Sequence, residues 1–284
     1  SLKKSLIMIK KFKVGVVGNG FVGEAISFAF SSISDLFVYD INPLKSTSDL
    51  KTIHNCDFVF ICVQTPMFKD GSQDLSYVKK VFKYANKKPI YILKSTVLPG
   101  STKKLESDYP ELKIIFSPEF LTERTAKLDM LTQSRIILGG NSKLTSKVKN
   151  IFVNRFKTKN IIEMDSTAAE LVKYMNNTFF ATKVSFMNEF KILCDNIGAD
   201  WDDVIAGFAS DSRVGNSHLN VPGHDGKFGY GGTCFPKDVN SLIHFANERK
   251  INLNTIIGGW RTNLKVRNVK DWERNEGRSE SFKN

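Results

Sequence analysis

Cysteine is scarce in this chain and nowhere clustered: Cys56, Cys62, Cys194 and Cys234 are the only four, and no two form a C-x-x-C pair. That spacing excludes a zinc ribbon and a dense disulfide framework, so no metal is expected. Long apolar runs are also missing. Residues 1–11 hold a patch too short for a signal peptide or a membrane span and closely flanked by lysines. The formal net charge of +12 favours an anionic partner. Yet there is no Arg-rich arm and no strand interleaving aromatic and basic residues, which argues against nucleic acid; a phosphate-rich small molecule explains the charge equally well, as does a solvated basic surface. The expectation is a soluble cytoplasmic enzyme with no membrane partner, and 284 residues leave room for two domains.

What the chain does have begins with GNGFVG at 18–23, placed between the β-branched run 12–17 and the helix-like stretch 24–30. Strand, glycine turn and helix in that order are the context of a dinucleotide-binding turn. Gly18 makes the tight turn, Gly20 admits a pyrophosphate to the helix N-terminus, and Gly23 lets helix and strand pack closely. A second strand, 36–39, ends in Asp40, at the distance where a carboxylate bonds the adenosine ribose. A negative charge there repels a 2′-phosphate, so NAD is expected over NADP.

Apolar strands at 57–63, 90–93 and 113–116, separated by amphipathic stretches, predict a doubly wound parallel sheet over residues 1–165. Thr65, Thr96 and Glu119 each fall just past a strand's C-terminal end, the edge where open α/β sheets bind ligands. From Ser166 the pattern becomes helical. A long helix over 166–196 opens with Ser166 as cap candidate and is apolar on several faces, which predicts an all-α domain over 166–250 with a dimer core. Lys173 and Asn177 share one face of it, amid apolar neighbours where an unpaired polar group is costly. Residues 251–284 read as a charged tail whose aromatics past 265 are Trp272 and Phe282.

The run GYGGTCFPKD at 229–238 surrounds Cys234 with glycine, an apolar and rigid shoulder in Phe235 and Pro236, and both signs of charge in Lys237 and Asp238. This is a setting for a reactive thiol. A lysine close by lowers a thiol pKa without any histidine partner.

Taken in order, GNGFVG, CVQTP (62–66), STVLPG (95–100), SPEFLTE (117–123), KYMNN (173–177), DSRVG (211–215) and GYGGTCFPKD resemble the nucleotide-sugar dehydrogenases, the family of UDP-glucose 6-dehydrogenase and GDP-mannose dehydrogenase. The resemblance runs from about Lys13 to Leu242. It implies oxidation of a primary alcohol to a carboxylate with two NAD in succession, Cys234 trapping the intermediate aldehyde as a thiohemiacetal that is oxidised to a thioester and hydrolysed. By the same similarity Lys173 stabilises the oxyanion, Asn177 steadies oxyanion or sugar, and Asp238 with Thr96 holds a water for proton transfer. Glu123 assists hydrolysis. Val22, Asp40, Lys45, Thr65, Thr96, Glu123 and Lys237, with the glycines 18, 20 and 23, contact NAD. The nucleotide sugar, with UDP-glucose the first choice, is met by Glu119, Phe120, Leu121, Glu123, Lys173, Asn177, Gly223, Lys227 and Gly231. Arg213 reaches into the neighbouring subunit of a homodimer.

The chain departs from that family past the cysteine segment. Members continue through a connecting helix into a second Rossmann-like domain, so a short form without it is expected here, with nucleotide grip and base specificity put in question. Two alternatives remain open at this level. A β-hydroxyacid dehydrogenase also joins a Rossmann domain to a helical one and uses a helix Lys with an Asn four residues on, but has no need of Cys234. A degenerate relative that only binds nucleotide sugars is the other.

Overall fold

The structure, a computed structural model, describes residues 12–156, 160–274 and 277–281. Residues 1–11 and Phe282 of the sequence reading lie outside them. The described chain runs β1 (Phe12–Val17), α1 (Phe21–Phe30), β2 (Ser34–Tyr39), α2 (Leu50–Ile53), β3 (Phe58–Ile61), α3 (Ser76–Phe82), β4 (Ile90–Leu93), α4 (Ser101–Asp108) and β5 (Lys113–Phe116). There follow α5 (Ala126–Thr132), β6 (Ile136–Gly139), α6 (Ser142–Phe156), β7 (Ile161–Met164), α7 (Ser166–Ile197), α8 (Trp201–Ala209), α9 (Cys234–Glu248) and α10 (Asn254–Val266). By internal contacts it divides into two compact units. The first runs to Gln64 and resumes over Ser76–Glu170, and the second takes Thr65–Leu75 and everything from Leu171 on.

The first unit is a seven-stranded sheet in the order β2-β1-β3-β4-β5-β6-β7. Strand pairs are parallel except β5 with β6, which meet antiparallel through Phe116 and Gly139. All four residues of β4 and of β6 are buried, as befits strands covered on both faces. On one face Phe30 of α1 and Phe152 of α6 close over Phe60 of β3, with ring centroids 5.1 Å (Phe30–Phe60) and 5.7 Å (Phe30–Phe152) apart. Each such ring contributes roughly 1.5–3 kcal/mol by leaving water. The sheet order places β1 between β2 and β3, so the chain reverses direction across the sheet at the C-terminal ends of β1 and β3. That is the crevice where doubly wound sheets take their nucleotides.

The second unit is helical. Its segment 65–75 is tied to the far end of the chain: Met67 N donates to Ser279 O and Ser281 N to Met67 O, both at 2.8 Å, and Ser281 Oγ donates to Asp74 at 2.7 Å. Ala181, Tyr230 and Val239 form a core with Phe235, Ile256 and Trp260, while Met187, Leu219 and Val221 pack with Trp201 and Phe228. Two differences from the sequence reading stand out. Residues 65–75, read within the Rossmann domain 1–165, belong to the helical unit because backbone pairing with 279–281 holds them there. Residues 251–284, read as a charged tail, instead hold α10 and a 3-10 turn, Asp271–Arg274, with Asn263, Arg267 and Trp272 buried. At the head of α7 the cap is also shifted by one. Asp165 Oδ1, not Ser166, accepts from Thr167 N at 3.0 Å and Ala168 N at 3.3 Å. Among the described residues no helix is long and apolar enough to cross a membrane.

Candidate active site

The glycine turn of the first unit forms a close backbone cradle. Gly18 has φ +90° and follows β1, and a Cβ there would lie 2.8 Å from Cys62 O at the end of β3. A Cβ on Gly23 would stand 1.9 Å from Gly18 O. Side chains are therefore forbidden where turn, helix and neighbouring strand converge. A Cβ on Gly20 would come no closer than 3.8 Å to any neighbour, so its bare backbone leaves room at the N-terminus of α1. Asp40 ends β2 beside the turn: Oδ2 accepts from Asn19 N at 2.6 Å and Oδ1 from Asn42 N at 2.8 Å. Each oxygen keeps a lone pair for a further donor. Lys45 is exposed, its backbone O taking Asn19 Nδ2 at 2.9 Å. Val22 packs partly into the core of this unit. These residues fit a dinucleotide with a free 2′-hydroxyl.

At the ends of β4 and β5, Lys94 carries a charge into the interior, where it is 5% exposed. Its Nζ donates to Pro118 O at 2.9 Å and Ser117 Oγ at 3.3 Å, fixing the loop that carries Glu119. Glu119 is buried and accepts from Leu121 N at 2.8 Å. Phe120 lies under the Arg135 guanidinium at 4.5 Å, Leu121 packs against the core, and Glu123 is exposed in a 3-10 turn. Thr96 is half-buried in the loop after β4. The adjoining backbone is braced by Glu170, fully buried, whose carboxylate accepts from Gly100 N at 2.6 Å and Thr102 N at 2.7 Å. Burial pushes the Glu170 carboxyl above its ordinary value. Lys94 and Glu170 escaped the sequence reading. The available signal was a Lys directly after a wholly apolar strand, where a charge persists only if satisfied.

In the second unit α9 begins at Cys234. The cysteine therefore sits at the N-terminal end of a 15-residue helix, where the helix dipole favours an anion. Pro236 in the first turn costs no hydrogen bond, since those N–H groups have no helical partner. Asp238, one turn on, shares the face of Cys234. It is 1% exposed, with Oδ1 accepting from Lys237 Nζ at 2.5 Å and Oδ2 from Asn177 Nδ2 at 2.6 Å. Asn177 and Lys173 lie on the buried face of α7, 5% and 4% exposed. Two helices thus bring together Asn177, Lys237 and Asp238 from two separate sequence motifs. Thr65, in the same unit, is buried. Of the four sulfurs only Cys234 is half-buried rather than buried. Burial pushes the Cys56 thiol up to about 11 and the Cys62 thiol up to about 12, which keeps both protonated.

The remaining expected residues are spread out. Gly223 N bonds Lys227 O at 2.8 Å, and Lys227 is exposed. Arg213 is exposed and forks onto Asp211 within its own turn, Nε at 3.0 Å and Nη2 at 2.5 Å. Gly231 lies against Arg267 and Asp271, so close that a Cβ would fall 2.3 Å from Arg267 Nη2.

A Rossmann unit with a free-2′-hydroxyl cradle, followed along the chain by a helical unit with a cysteine at a helix N-terminus and a buried Asp, Lys and Asn, defines a class of dinucleotide-binding proteins. Residues 38–157 match the NAD binding domain, and residues 167–264 the central domain, of the UDP-glucose/GDP-mannose dehydrogenase family, to which this chain belongs. A UDP-glucose 6-dehydrogenase of Campylobacter jejuni is 33% identical over 268 residues, covering 81% of this chain and 67% of that protein. One of Rickettsia conorii is 35% identical over 208 residues, 70% of this chain and 47% of that one. The chain thus spans about half the length of the Rickettsia relative. Among solved structures, a UDP-glucose dehydrogenase from Pyrobaculum islandicum superposes with a TM-score of 0.80 at 27% identity, covering 90% of this chain and 68% of that one.

Proposed function

We propose that this chain oxidises the primary alcohol of a nucleotide sugar to a carboxylate in four electrons, UDP-glucose to UDP-glucuronate being the leading case, through a covalent bond to Cys234. The observation that carries the reading is the buried Asp238, held by Asn177 and Lys237 on the face of the helix that opens with Cys234. Overall, R–CH2OH, two NAD and one water give R–COO⁻, two NADH and three protons. NAD, held by the glycine turn and Asp40, supplies the acceptor for each hydride.

The chain's own residues supply the rest. The Cys234 thiolate adds to the aldehyde carbon, forming a C–S bond while the carbonyl oxygen gains a proton, which Lys173 is suited to deliver or balance as a cation. Loss of a hydride from that carbon and a proton from its hydroxyl leaves a thioester. Water then attacks, the C–S bond breaks, and the thiolate is restored. Asp238 takes the water's proton, with Thr96, Glu119 and Glu123 in the roles their motifs imply. Membership of the family favours this reading over the β-hydroxyacid alternative, which has no use for the cysteine. With UDP-glucose limiting and NAD in excess, two NADH per sugar are expected at 340 nm. One NADH per substrate would refute the thioester route, and none would favour the binding-protein alternative.

The partner chain in this reading is a second copy. Along α7, residues 171, 175, 179, 186, 190, 193 and 197 are Leu, Met, Phe, Phe, Phe, Leu and Ile, each between 43% and 70% exposed. Their spacing makes one stripe along a 32-residue helix, about 48 Å long. An apolar patch of that extent supports reading this face as an interface. A shallow depression beside it is lined by Val172, Met175, Phe179 and Ile256. Replacing Phe179 and Phe186 together by Asp should convert a dimer into a monomer in sedimentation velocity, with the fold retained. A wild-type monomer at micromolar concentration would count against the dimer and against a role for Arg213 in its neighbour.

A further inference from the structure

The stretch 228–232 that leads into Cys234 is bonded by groups from outside it. Its backbone is bonded by side chains from the segment past α9. Asn263, fully buried, brackets Tyr230: its Oδ1 accepts from Tyr230 N at 2.7 Å and its Nδ2 donates to Tyr230 O at 3.0 Å. That pairing copies a strand neighbour, and among side chains only a carboxamide offers a donor and an acceptor together in this form. Asp271 Oδ2 accepts from Gly232 N at 3.2 Å. Between them Arg267, 3% exposed, spans Asp225 at 2.7 Å and Asp271 at 3.1 Å and donates to Phe228 O at 3.4 Å. From α7, Asn188 Oδ1 accepts from Gly229 N at 2.9 Å.

The glycines of the loop answer to the same contacts. A Cβ on Gly229 would lie 2.4 Å from Asn263 Oδ1, and one on Gly231 would lie 2.2 Å from Asp271 Oδ1 and 2.3 Å from Arg267 Nη2. Room for these side chains, and not only room for a substrate, therefore requires glycine at both positions. A buried guanidinium between two carboxylates is a poor device for stability alone, since its desolvation consumes much of the attraction. What it does provide is a single geometry for the loop.

We propose that Asn263, Arg267 and Asp271, spaced four residues apart, are positioning residues that splint the backbone of 228–232 and so set the place and direction of the Cys234 sulfur. The inference rests on the reading of Cys234 as nucleophile. Through the splint, the stretch 263–271 acts on the chemistry without touching the reacting atoms.

The test uses Arg267→Lys, Asn263→Asp and Asp271→Ala in the full chain, with iodoacetamide as the probe of the sulfur and Cys234→Ala as background. Three quantities are read: the alkylation rate as pH is raised, kcat and KM with UDP-glucose and NAD, and the melting transition. Loosening the loop should lower kcat by about 10²-fold, the order that a misplacement near 1 Å produces. KM for NAD should stay near wild type, and the alkylation profile should shift to higher pH. Asp271, whose side chain is 35% exposed, is the replacement best tolerated by the fold and carries the test if the other two fail to fold. Folded variants with the wild-type alkylation profile and wild-type kcat would overturn the splint. A wild type that makes no NADH, together with variants whose alkylation profile shifts, would overturn the proposed reaction and leave the splint standing.

Discussion

Cys234→Ser is expected to bring steady-state formation of UDP-glucuronate below about 10⁻³ of the wild-type rate, a loss of the order seen when a nucleophile is removed from an intact site. The reason lies in the difference between sulfur and oxygen at one position. Cys234 opens α9, where the helix dipole stabilises an anion. A thiol at such a position ionises far more readily than a hydroxyl. If serine adds at all it makes an oxygen ester, which water releases more slowly than a thioester. The first hydride transfer needs no covalent bond, so a pre-steady-state mixture of the variant with NAD and UDP-glucose should give at most one NADH per site before stalling. Since Cys234 is only half-buried and serine is nearly isosteric, the melting temperature should stay within a degree or two. A serine variant that makes the acid at the wild-type rate would remove the covalent step from the proposal and leave Asp238 and Lys173 to act on a free aldehyde hydrate.

Much of this arrangement is legible in sequence where the signal is local. β1, β4 and β5 follow the expected bounds because each is a short, mainly apolar run whose last residues are buried, the mark of a strand covered on both faces. The i, i+4 spacing of Lys173 with Asn177 within the long predicted helix places that pair on one face, whereas the helix that puts Cys234 and Asp238 on one face emerges only from the structure. What stays hidden is long-range. β7 is half-exposed and only four residues long, so it offers no continuous apolar run. Asn263 and Arg267 fall within the stretch read as a charged tail, since the backbone they bond is over 30 residues away. The segment 65–75 reads as part of the Rossmann domain, because its partners, Ser279 and Ser281, lie far along the chain. The misplaced cap on α7 has a local cause: Asp165 and Ser166 are both good capping residues, and only geometry shows which oxygen reaches the first N–H groups.

Asp238→Ala should be the most destabilising of the site replacements. It leaves the Lys237 ammonium, 7% exposed, without its carboxylate, and it strips Asn177 of an acceptor. Removing one member of a buried pair costs about 3–5 kcal/mol because the other charge is left uncompensated. At the usual slope for a chain of this size the melting temperature should fall by roughly 10 °C. The double replacement Lys237→Met with Asp238→Leu separates stability from chemistry. Neither charge is then buried, and apolar replacement of such a pair is often neutral or stabilising, so most of the lost melting temperature should return. Activity should not return in either variant, because no carboxylate remains one turn from Cys234 to accept a proton. Calorimetry of the two variants beside their NADH rates makes the comparison. If the double variant is as unstable as Asp238→Ala, the pair holds the helices together and its charges serve the fold. If it is stable and inert, the desolvation of Lys237 and Asp238 is a cost the fold tolerates for the sake of the carboxylate.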